Sequence, residues 1–343
     1  MTSSLHAGLG LAAGLFALQA MATPGAAEPA PAYALQAPIK APDGGYDYAS
    51  FDPVHRRLYV SRAGGVTAVD VDTGAVTGQL LAAGRTHESL PLDGGAMLLV
   101  TDSGSNTAHL VDALTGASLA EIPTGQKPDA ALFDPATGLA LAVDGKAGEL
   151  TLIDPAARKA VGSIAVGGGL EFGVADGAGR VFVNVEDQNR IAVVDAKARA
   201  LVGHYALAGC EGPTGLAFAK DAGVLISACA NHVAKVVRAS DGTEVASLAI
   251  GAGPDAVIYD AVRHLAFIPC GRDGVLEVIA VPASGQARIV QTLPTQVGAR
   301  TGALDPKTGR LYLPTATFTP SPSGGRPVAQ PGSFQILVVA PGQ

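Results

Sequence analysis

The sequence repeats with a period of about 42 residues, and this period restricts the possible folds more than any other feature. In each unit, an aliphatic run closes a strand and is usually followed by Asp. The residue after the run is Asp70, Asp112, Asp154, Asp195, Arg238, Ala280 and Ala340, so the steps are 42, 42, 41, 43, 42 and 60 residues. Six steps define seven units. The last unit carries an insertion over residues 318–333, whose Gly, Pro and Ser content is typical of a loop.

Each unit predicts four short antiparallel strands. A turn such as Phe51-Asp52-Pro53 precedes a β run such as residues 58–61, and polar turns separate it from two further runs. Short strands with Gly, Asp and Asn turns are typical of hairpins and not of βαβ units. Four strands in about 42 residues match one propeller blade. The sequence therefore predicts an all-β fold: a seven-bladed β-propeller of four-stranded antiparallel blades over residues 33–343.

The two ends of the repeat region predict how the ring closes. Unit seven stops after its third strand, residues 334–340, and lacks an outer strand. Residues 33–39, which precede unit one, have strand composition. We expect this N-terminal strand to complete blade seven, because that arrangement removes the open sheet edges that favour aggregation.

The N-terminal segment predicts export. Residues 5–20 form an apolar run, and Ala20-Met21-Ala22 follows as a cleavage site with small residues at its first and third positions. We therefore expect a signal peptide over residues 1–22, a Pro/Ala-rich linker over residues 23–32, and a periplasmic or secreted protein. No second apolar run reaches the length of a membrane span, so no span is expected after cleavage. A net charge of -7 counts against nucleic-acid binding. We expect a monomer.

Several repeats resemble a known family. Residues 99–116 (LVTDSGSNTAHLVDALTG) and 58–76 (LYVSRAGGVTAVDVDTGAV) are similar to the YVTN repeats of YncE-like β-propellers. Residues 134–143 and 305–314 resemble the turn that precedes the second strand in that family. The resemblance covers nearly all of the expected mature chain, with Arg238 and Ala280 departing from the usual Asp. It implies the propeller fold and an exported protein, but no particular activity.

A register of acidic residues predicts a ligand site. The seven units can be aligned on the residue before the first turn, such as Phe51 or Phe133. Four residues before this position, the units have Asp47, Glu88, Asp129, Glu171, Thr214, Asp255 and Arg300. Five of these seven residues are carboxylic acids, and the ring geometry should bring them together at the mouth of the central channel. Like charges repel, and a cation relieves the repulsion. The alternative is that the acids cap loop amides and point apart.

The acidic register leaves three functions open. The first is a binding module for a cationic small molecule or a metal ion such as calcium, with Glu88, Asp129 and Glu171 as metal ligands and Tyr46 and His87 in the preceding register. The second is an enzyme that uses the same face, like propeller lactonases, lyases or quinoproteins, with His87 as the best candidate base. The third is a scaffold for an exported protein partner that binds the insertion. The sequence does not decide whether the protein is an enzyme.

The three cysteines predict one disulfide. Cys210 precedes the inner strand of blade five and Cys229 ends the strand paired with it, so we expect a Cys210–Cys229 bond and a free Cys270. Cys229 belongs to a second loop register, at the ends of second strands, whose members are Asp102, Asp144, Glu186, Cys229 and Cys270. The acids of this register are expected mainly to form turns.

Overall fold

A computed structural model describes residues 1–2, 4–6, 32–319 and 328–342. It contains seven four-stranded antiparallel sheets and one two-stranded ladder, so the predicted all-β seven-bladed propeller is confirmed. Nearly all of the expected signal peptide (residues 1–22) and linker (residues 23–32) lies outside the described residues, and both remain predictions. Within the described ranges, no helix has the length and hydrophobicity of a membrane span.

After β1 (Tyr33–Lys40), the strands follow one another blade by blade. Blade one consists of β2 (Tyr46–Asp52), β3 (Arg57–Arg62), β4 (Gly65–Asp70) and β5 (Val76–Ala82). Blade two consists of β6 (Thr86–Leu92), β7 (Met97–Asp102), β8 (Thr107–Asp112) and β9 (Ser118–Pro123). Blade three consists of β10 (Pro128–Asp134), β11 (Leu139–Asp144), β12 (Glu149–Asp154) and β13 (Lys159–Ala165). Blade four consists of β14 (Leu170–Ala175), β15 (Arg180–Val185), β16 (Arg190–Asp195) and β17 (Ala200–Ala206).

The remaining blades follow the same order. Blade five consists of β18 (Pro213–Ala219), β19 (Val224–Cys229), β20 (Val233–Arg238) and β21 (Glu244–Ala249). Blade six consists of β22 (Ile258–Asp260), β23 (Leu265–Cys270), β24 (Val275–Ala280) and β25 (Arg288–Pro294). In the insertion, β28 (Phe318–Thr319) pairs with β29 (Val328–Ala329). Blade seven contains β26 (Ala303–Leu304), β27 (Leu311–Thr315) and β30 (Gln335–Pro341), with β1 as its outer strand.

Strand β1 closes the ring as predicted. It pairs antiparallel with β30, from Tyr33 opposite Pro341 to Lys40 opposite Gln335. The Gln291 side chain on blade six bonds both backbone groups of Tyr33, at 2.8 Å each. The buried Tyr33 ring also packs edge-on against Phe267, with centroids 4.9 Å apart. The N-terminal strand therefore joins both the last strand of the chain and the neighbouring blade.

The recurring Asp has a structural cause. Asp112 ends β8, and its Oδ1 accepts hydrogen bonds from the N–H groups of Leu114 and Thr115 at 3.1 and 2.8 Å. Gly116 follows with φ +73°, and a Cβ there would collide with the carbonyl oxygen of Leu80 in blade one. The carboxylate thus caps the turn to the outer strand, and the glycine lets that turn approach the adjacent blade. This turn is what makes the period visible in the sequence.

The second and third strands form the core. Side chains such as Val60, Leu99, Leu141 and Leu225 have no exposed surface, and they pack between neighbouring blades. Full burial of each Leu or Val contributes about 1.5–3 kcal/mol. Cys210 and Cys229 are joined by a disulfide whose Cα atoms lie 5.5 Å apart, and the free Cys270 is buried. These layers give the loops at the channel mouth a rigid support.

Candidate ligand site at the channel mouth

A backbone irregularity recurs where the inner strand of a blade begins. The register between first and second strands shifts between residues 46 and 49, 86 and 89, 128 and 130, 170 and 173, and 213 and 216. Bulges of this kind re-aim side chains away from the regular alternation. In blades one to six, one residue directly follows the first residue that pairs with the second strand. These six residues and Arg300 of blade seven form one set: Asp47, His87, Asp129, Glu171, Thr214, Asp255 and Arg300. We call this set the mouth ring.

The sequence alignment was wrong by one residue in blade two. Leu92 pairs with Met97 in the same way that Asp52 pairs with Arg57. The blade-one equivalent of Leu92 is therefore Asp52 and not Phe51. His87 thus takes the ring position that the sequence analysis gave to Glu88. Glu88 instead belongs to a second layer behind the ring, equivalent to Tyr48. The error arose because blade two has Leu where blade one has the Asp that ends the inner strand.

An ion-pair chain links five of the seven ring positions. Its five contacts are Asp255 Oδ2 to Arg300 Nε (2.7 Å), Arg300 Nη2 to Asp47 Oδ1 (3.4 Å), Asp47 Oδ2 to His87 Nδ1 (2.7 Å), His87 Nδ1 to Asp129 Oδ1 (2.8 Å) and Asp129 Oδ2 to Lys127 Nζ (3.0 Å). Acidic and basic groups alternate along the chain, three of each. Basic side chains therefore balance much of the acidic charge that the sequence analysis expected at the mouth.

His87 is the centre of this network. Its side chain is buried, and its Nδ1 lies between the two carboxylates while its Nε2 lies 2.7 Å from Ser103 Oγ. Burial opposes protonation, but the hydrogen bonds to Asp129 and Asp47 outweigh it and raise the pKa of His87 to about 9. At neutral pH the imidazole is therefore a cation that donates from Nδ1. His87 in turn contributes to a lowered pKa of Asp129, against the opposing effect of burial.

Three acids at the mouth hold their protons more tightly than usual. Burial raises the pKa of Glu88 to about 8 and that of Asp255 to about 6, the latter despite Arg300. Burial, with a further contribution from Asp129, raises the pKa of Glu171 to about 8. Glu171 therefore exchanges its proton near neutral pH, beside the ion-pair chain. That property suits either ligand binding or proton transfer.

Two aromatic side chains from non-adjacent blades meet next to the mouth ring. Tyr48 extends from blade one and is buried among blade-three and blade-four residues such as Leu132 and Leu170. Its ring lies 5.1 Å from that of Phe172 on blade four. Burial and the charges of Asp255 and other ring acids raise the pKa of the Tyr48 hydroxyl. Tyr48 of blade one and Phe172 of blade four therefore meet across the ring, a contact that the repeat pattern does not reveal.

Two predicted ligand residues, Tyr46 and Thr214, also make contacts within the protein. The Tyr46 hydroxyl donates to the carbonyl of Gly298 at 2.9 Å, and the Tyr46 backbone carbonyl accepts from Arg300 Nη2 at 3.3 Å. The Thr214 hydroxyl donates to the carbonyl of Pro254 at 3.1 Å, which joins blades five and six. Tyr46 therefore supports Arg300 from behind. Thr214 is the neutral member of the ring.

In the second register, Asp102 caps a turn, as expected for an acid of this register. The Asp102 carboxylate accepts hydrogen bonds from the N–H groups of Gly84, Arg85 and Gly104 at 2.7–2.8 Å. Asp144 accepts one from the Thr151 hydroxyl at 2.6 Å, and burial raises its pKa to about 6. These carboxylates hold the loops that surround the mouth. Glu186 begins a short 3₁₀ segment, Glu186–Gln188, at the same face.

The donor atoms at the mouth can fit a metal ion. One ligand atom each from Asp47, His87 and Asp129 lies within 4.8 Å of the others. Of the metal ligands proposed from sequence, only Asp129 belongs to this triad. A nitrogen and two carboxylate oxygens suit zinc or a similar transition ion better than calcium, which takes oxygen ligands. Sequence reasoning missed Lys127 and Ser103 as neighbours of the triad. Lys127 lies only two residues before Asp129 and could have been noticed.

Comparison with known proteins supports the fold. No protein-family model matches the chain, and no curated protein matches it in sequence. Among solved structures, Kuenenia stuttgartiensis hydrazine synthase has 16% identity and a TM-score of 0.71, covering 85% of this chain and 97% of that one. A chain of a mitotic checkpoint complex has 14% identity, a TM-score of 0.71, and coverage of 96% and 99%. U3-55K has 10% identity, a TM-score of 0.73, and coverage of 90% and 98%. At these identities the likeness establishes the propeller fold alone.

Proposed function

We propose that this protein is an exported propeller of the YncE-like type that acts as a binding module, with a divalent metal ion held at the channel mouth by Asp47, His87 and Asp129. The observation that carries the proposal is the convergence of three ligand atoms, from three consecutive blades, within 4.8 Å. Propeller folds commonly present such sites on loops held by a rigid scaffold.

The neighbours of the triad support the same role. Ser103 Oγ at 2.7 Å from Nε2 fixes the orientation of the His87 ring, as outer partners of a ligating histidine do. Arg300 bridges Asp255 and Asp47 and holds the latter in place. Metal binding at Nδ1 of His87 requires loss of the Nδ1 proton, which lies between the carboxylates of Asp47 and Asp129. Affinity should therefore rise with pH up to the His87 pKa of about 9 and level off above it.

The proposal is tested by thermal unfolding and calorimetry with Zn²⁺, Mn²⁺ and Ca²⁺ added separately. At a hundredfold excess over its Kd, a bound ion stabilises the fold by about 2.7 kcal/mol. We expect Zn²⁺ or Mn²⁺ to stabilise the natural protein, and Asp47→Asn/Asp129→Asn to abolish the effect. The matched control Glu121→Gln/Glu211→Gln removes the same charge from two exposed acids and should respond like the natural protein. The metal site is excluded if no ion stabilises the natural protein, or if both double variants respond equally.

Catalysis at the same face is the second candidate. It is favoured by Glu171, whose pKa of about 8 lets the carboxyl donate or accept a proton near neutral pH. An enzyme of this kind should hydrolyse a lactone, and its activity should be lost in Glu171→Gln and in His87→Ala. Turnover that survives both substitutions would eliminate this candidate.

Export is a separate part of the proposal. The Cys210–Cys229 disulfide is a bond that persists in oxidising compartments such as the periplasm. Expression of the full chain in a bacterial host should yield periplasmic or secreted protein that begins at Thr23, as read by intact mass. Uncleaved protein retained in the cytoplasm would contradict the export proposal without affecting the metal-site proposal.

A further inference from the structure

A basic pocket lies beside the mouth ring, between blades two and three. It has a volume of about 440 Å³. Its lining residues are Arg85, His87, Ser103, Asn106, Gln126, Lys127 and Lys146. No carboxylate is among these residues, although the whole chain has a net charge of -7. Arg85, Lys127 and Lys146 therefore create a local positive charge on an otherwise acidic protein.

Two of these cations have no acidic partner. Within residues 32–319 and 328–342, no carboxylate lies within salt-bridge distance of Arg85 or Lys146, and both side chains are exposed. Lys127 Nζ contacts Asp129 Oδ2 at 3.0 Å, which leaves further donors on its ammonium group. The pocket thus presents unused charge and hydrogen-bond donors to solvent.

The loops that carry the three cations are fixed by hydrogen bonds. The backbone N–H of Arg85 donates to Asp102 Oδ1 at 2.8 Å, and the carbonyl of Arg85 accepts from Ser103 N–H at 2.9 Å. Across the pocket, the carbonyl of Lys127 accepts from Gly145 N–H at 2.8 Å. Positions held in this way lose little further backbone freedom when a ligand binds.

The backbone at the pocket also adopts an uncommon conformation. Lys127 has φ +57° and Asn106 has φ +56°, and the N–H of Lys127 donates to Asn106 Oδ1 at 2.9 Å. Asn tolerates the left-handed region, but Lys adopts it at a conformational cost. Such strain is concentrated at functional sites. Here it accompanies the placement of Lys127 at the pocket.

We propose that this pocket binds a small oxyanion carrying two negative charges, either a phosphate monoester or a dicarboxylate. The Arg85 guanidinium supplies a planar fork that matches two oxygens of such a group, and Lys127 and Lys146 supply point charges at its sides. Of these three cations, only Lys127 pairs with a member of the metal triad, Asp129. Arg85 and Lys146 make no ion pair with the triad, so a variant of these two residues tests the pocket separately from the metal-site proposal.

The test is calorimetric titration with inorganic phosphate and with succinate, in buffers stripped of metal by a chelating resin. We expect the natural protein to bind at least one of the two probes. Arg85→Gln/Lys146→Gln should weaken that binding at least tenfold. The matched control Lys159→Gln/Arg288→Gln removes the same charge from the exposed outer strands of blades three and six, and its affinity should stay within twofold of the natural protein. Unfolding midpoints without ligand verify that all variants fold.

Each outcome of this test is decisive. Binding of phosphate alone identifies a phosphate monoester as the ligand class, and binding of succinate alone identifies a dicarboxylate; both support the pocket. Absence of binding to the natural protein overturns the proposal. An equal loss in the two double variants also overturns it, because the effect would then come from overall charge.

Discussion

At the scale of single residues, burial and close charges set the protonation of the channel mouth. The two carboxylates beside His87 stabilise its protonated form, whereas burial keeps Glu88 and Glu171 protonated because it disfavours their anions. The same face thus holds a cationic imidazole and two acids that are largely neutral at pH 7. The sequence predicts five like-charged acids with Arg300 among them, because the residue pattern does not show which acids are buried.

Glu88→Gln should change how stability depends on pH. The pKa of Glu88 is about 8 in the fold and near 4.5 in the unfolded chain, so the folded protein binds the extra proton between these values. Stability of the natural protein is therefore highest, as far as this group is concerned, below pH 4.5 and falls as pH rises to 8. Gln carries no such cost. Denaturant unfolding should therefore find the variant more stable than the natural protein at pH 8. The difference in unfolding free energy is at most about 1.4 kcal/mol for each unit by which the fold raises the Glu88 pKa, and it should disappear towards pH 4.5.

The exposed Glu121 provides the control for this measurement. Glu121→Gln removes the same charge from an exposed position, so a change in the pH profile that both variants share would come from overall charge. A Glu88→Gln profile parallel to that of the natural protein would show that Glu88 ionises normally in the fold.

Removal of the disulfide should destabilise blade five. The bond encloses a sequence separation of 19 residues, for which the loop-entropy model gives about 3 kcal/mol. We expect Cys210→Ser/Cys229→Ser to lose about this amount in denaturant unfolding. In denatured, unreduced natural protein, alkylation and mass analysis should find one free thiol, Cys270. In the native protein Cys270 should be unreactive, because burial raises its pKa to about 12. Alkylation of all three cysteines without reductant would contradict the pairing.

At the scale of elements, one strand decides whether the ring is closed. Strand β1 supplies the outer edge of blade seven and contacts blade six through Tyr33. Because it pairs with the last strand of the chain, the two ends of the sequence stabilise each other. The insertion after β27 leaves this pairing intact, since β30 resumes the blade beyond it.

Deletion of residues 33–39 should open the propeller. Without β1, the edge of β30 is exposed, and we expect loss of solubility or a large fall in Tm. The point variant Tyr33→Ala removes a buried ring and should cost about 3 kcal/mol in denaturant unfolding. Deletion of residues 23–31 is the control and should have little effect, as expected for a linker. Equal tolerance of both deletions would refute closure by β1.

At the scale of the whole molecule, one aromatic contact crosses the ring. Tyr48 of blade one packs against Phe172 of blade four, and these blades are neighbours neither in the sequence nor around the ring. The contact couples opposite sides of a fold in which most packing is between adjacent blades.

A double-mutant cycle should detect this contact. Tyr48→Ala and Phe172→Ala should each destabilise the protein by about 3 kcal/mol, and their combination should cost less than the sum by about 0.5–1.5 kcal/mol. Phe267→Ala is the control partner, because Phe267 packs in a different cluster from Tyr48. Its effect should add to that of Tyr48→Ala in denaturant unfolding. Additive behaviour of Tyr48 with Phe172 would show that the two rings do not interact.

The sequence by itself determined the number of blades, their strand order and the closing strand. These features follow from local causes, such as the Asp112 turn cap and the left-handed Gly116, whose counterparts recur in several of the periods and leave a visible pattern. The sequence also brought six of the seven mouth-ring residues into one register. Only the tertiary structure decided that His87 replaces Glu88 in the ring. It also decided that Lys127 extends the ion-pair chain, and that Tyr48 packs against Phe172 of blade four. These facts depend on a one-residue bulge and on contacts between blades, because side-chain direction and burial are set by neighbours remote in sequence.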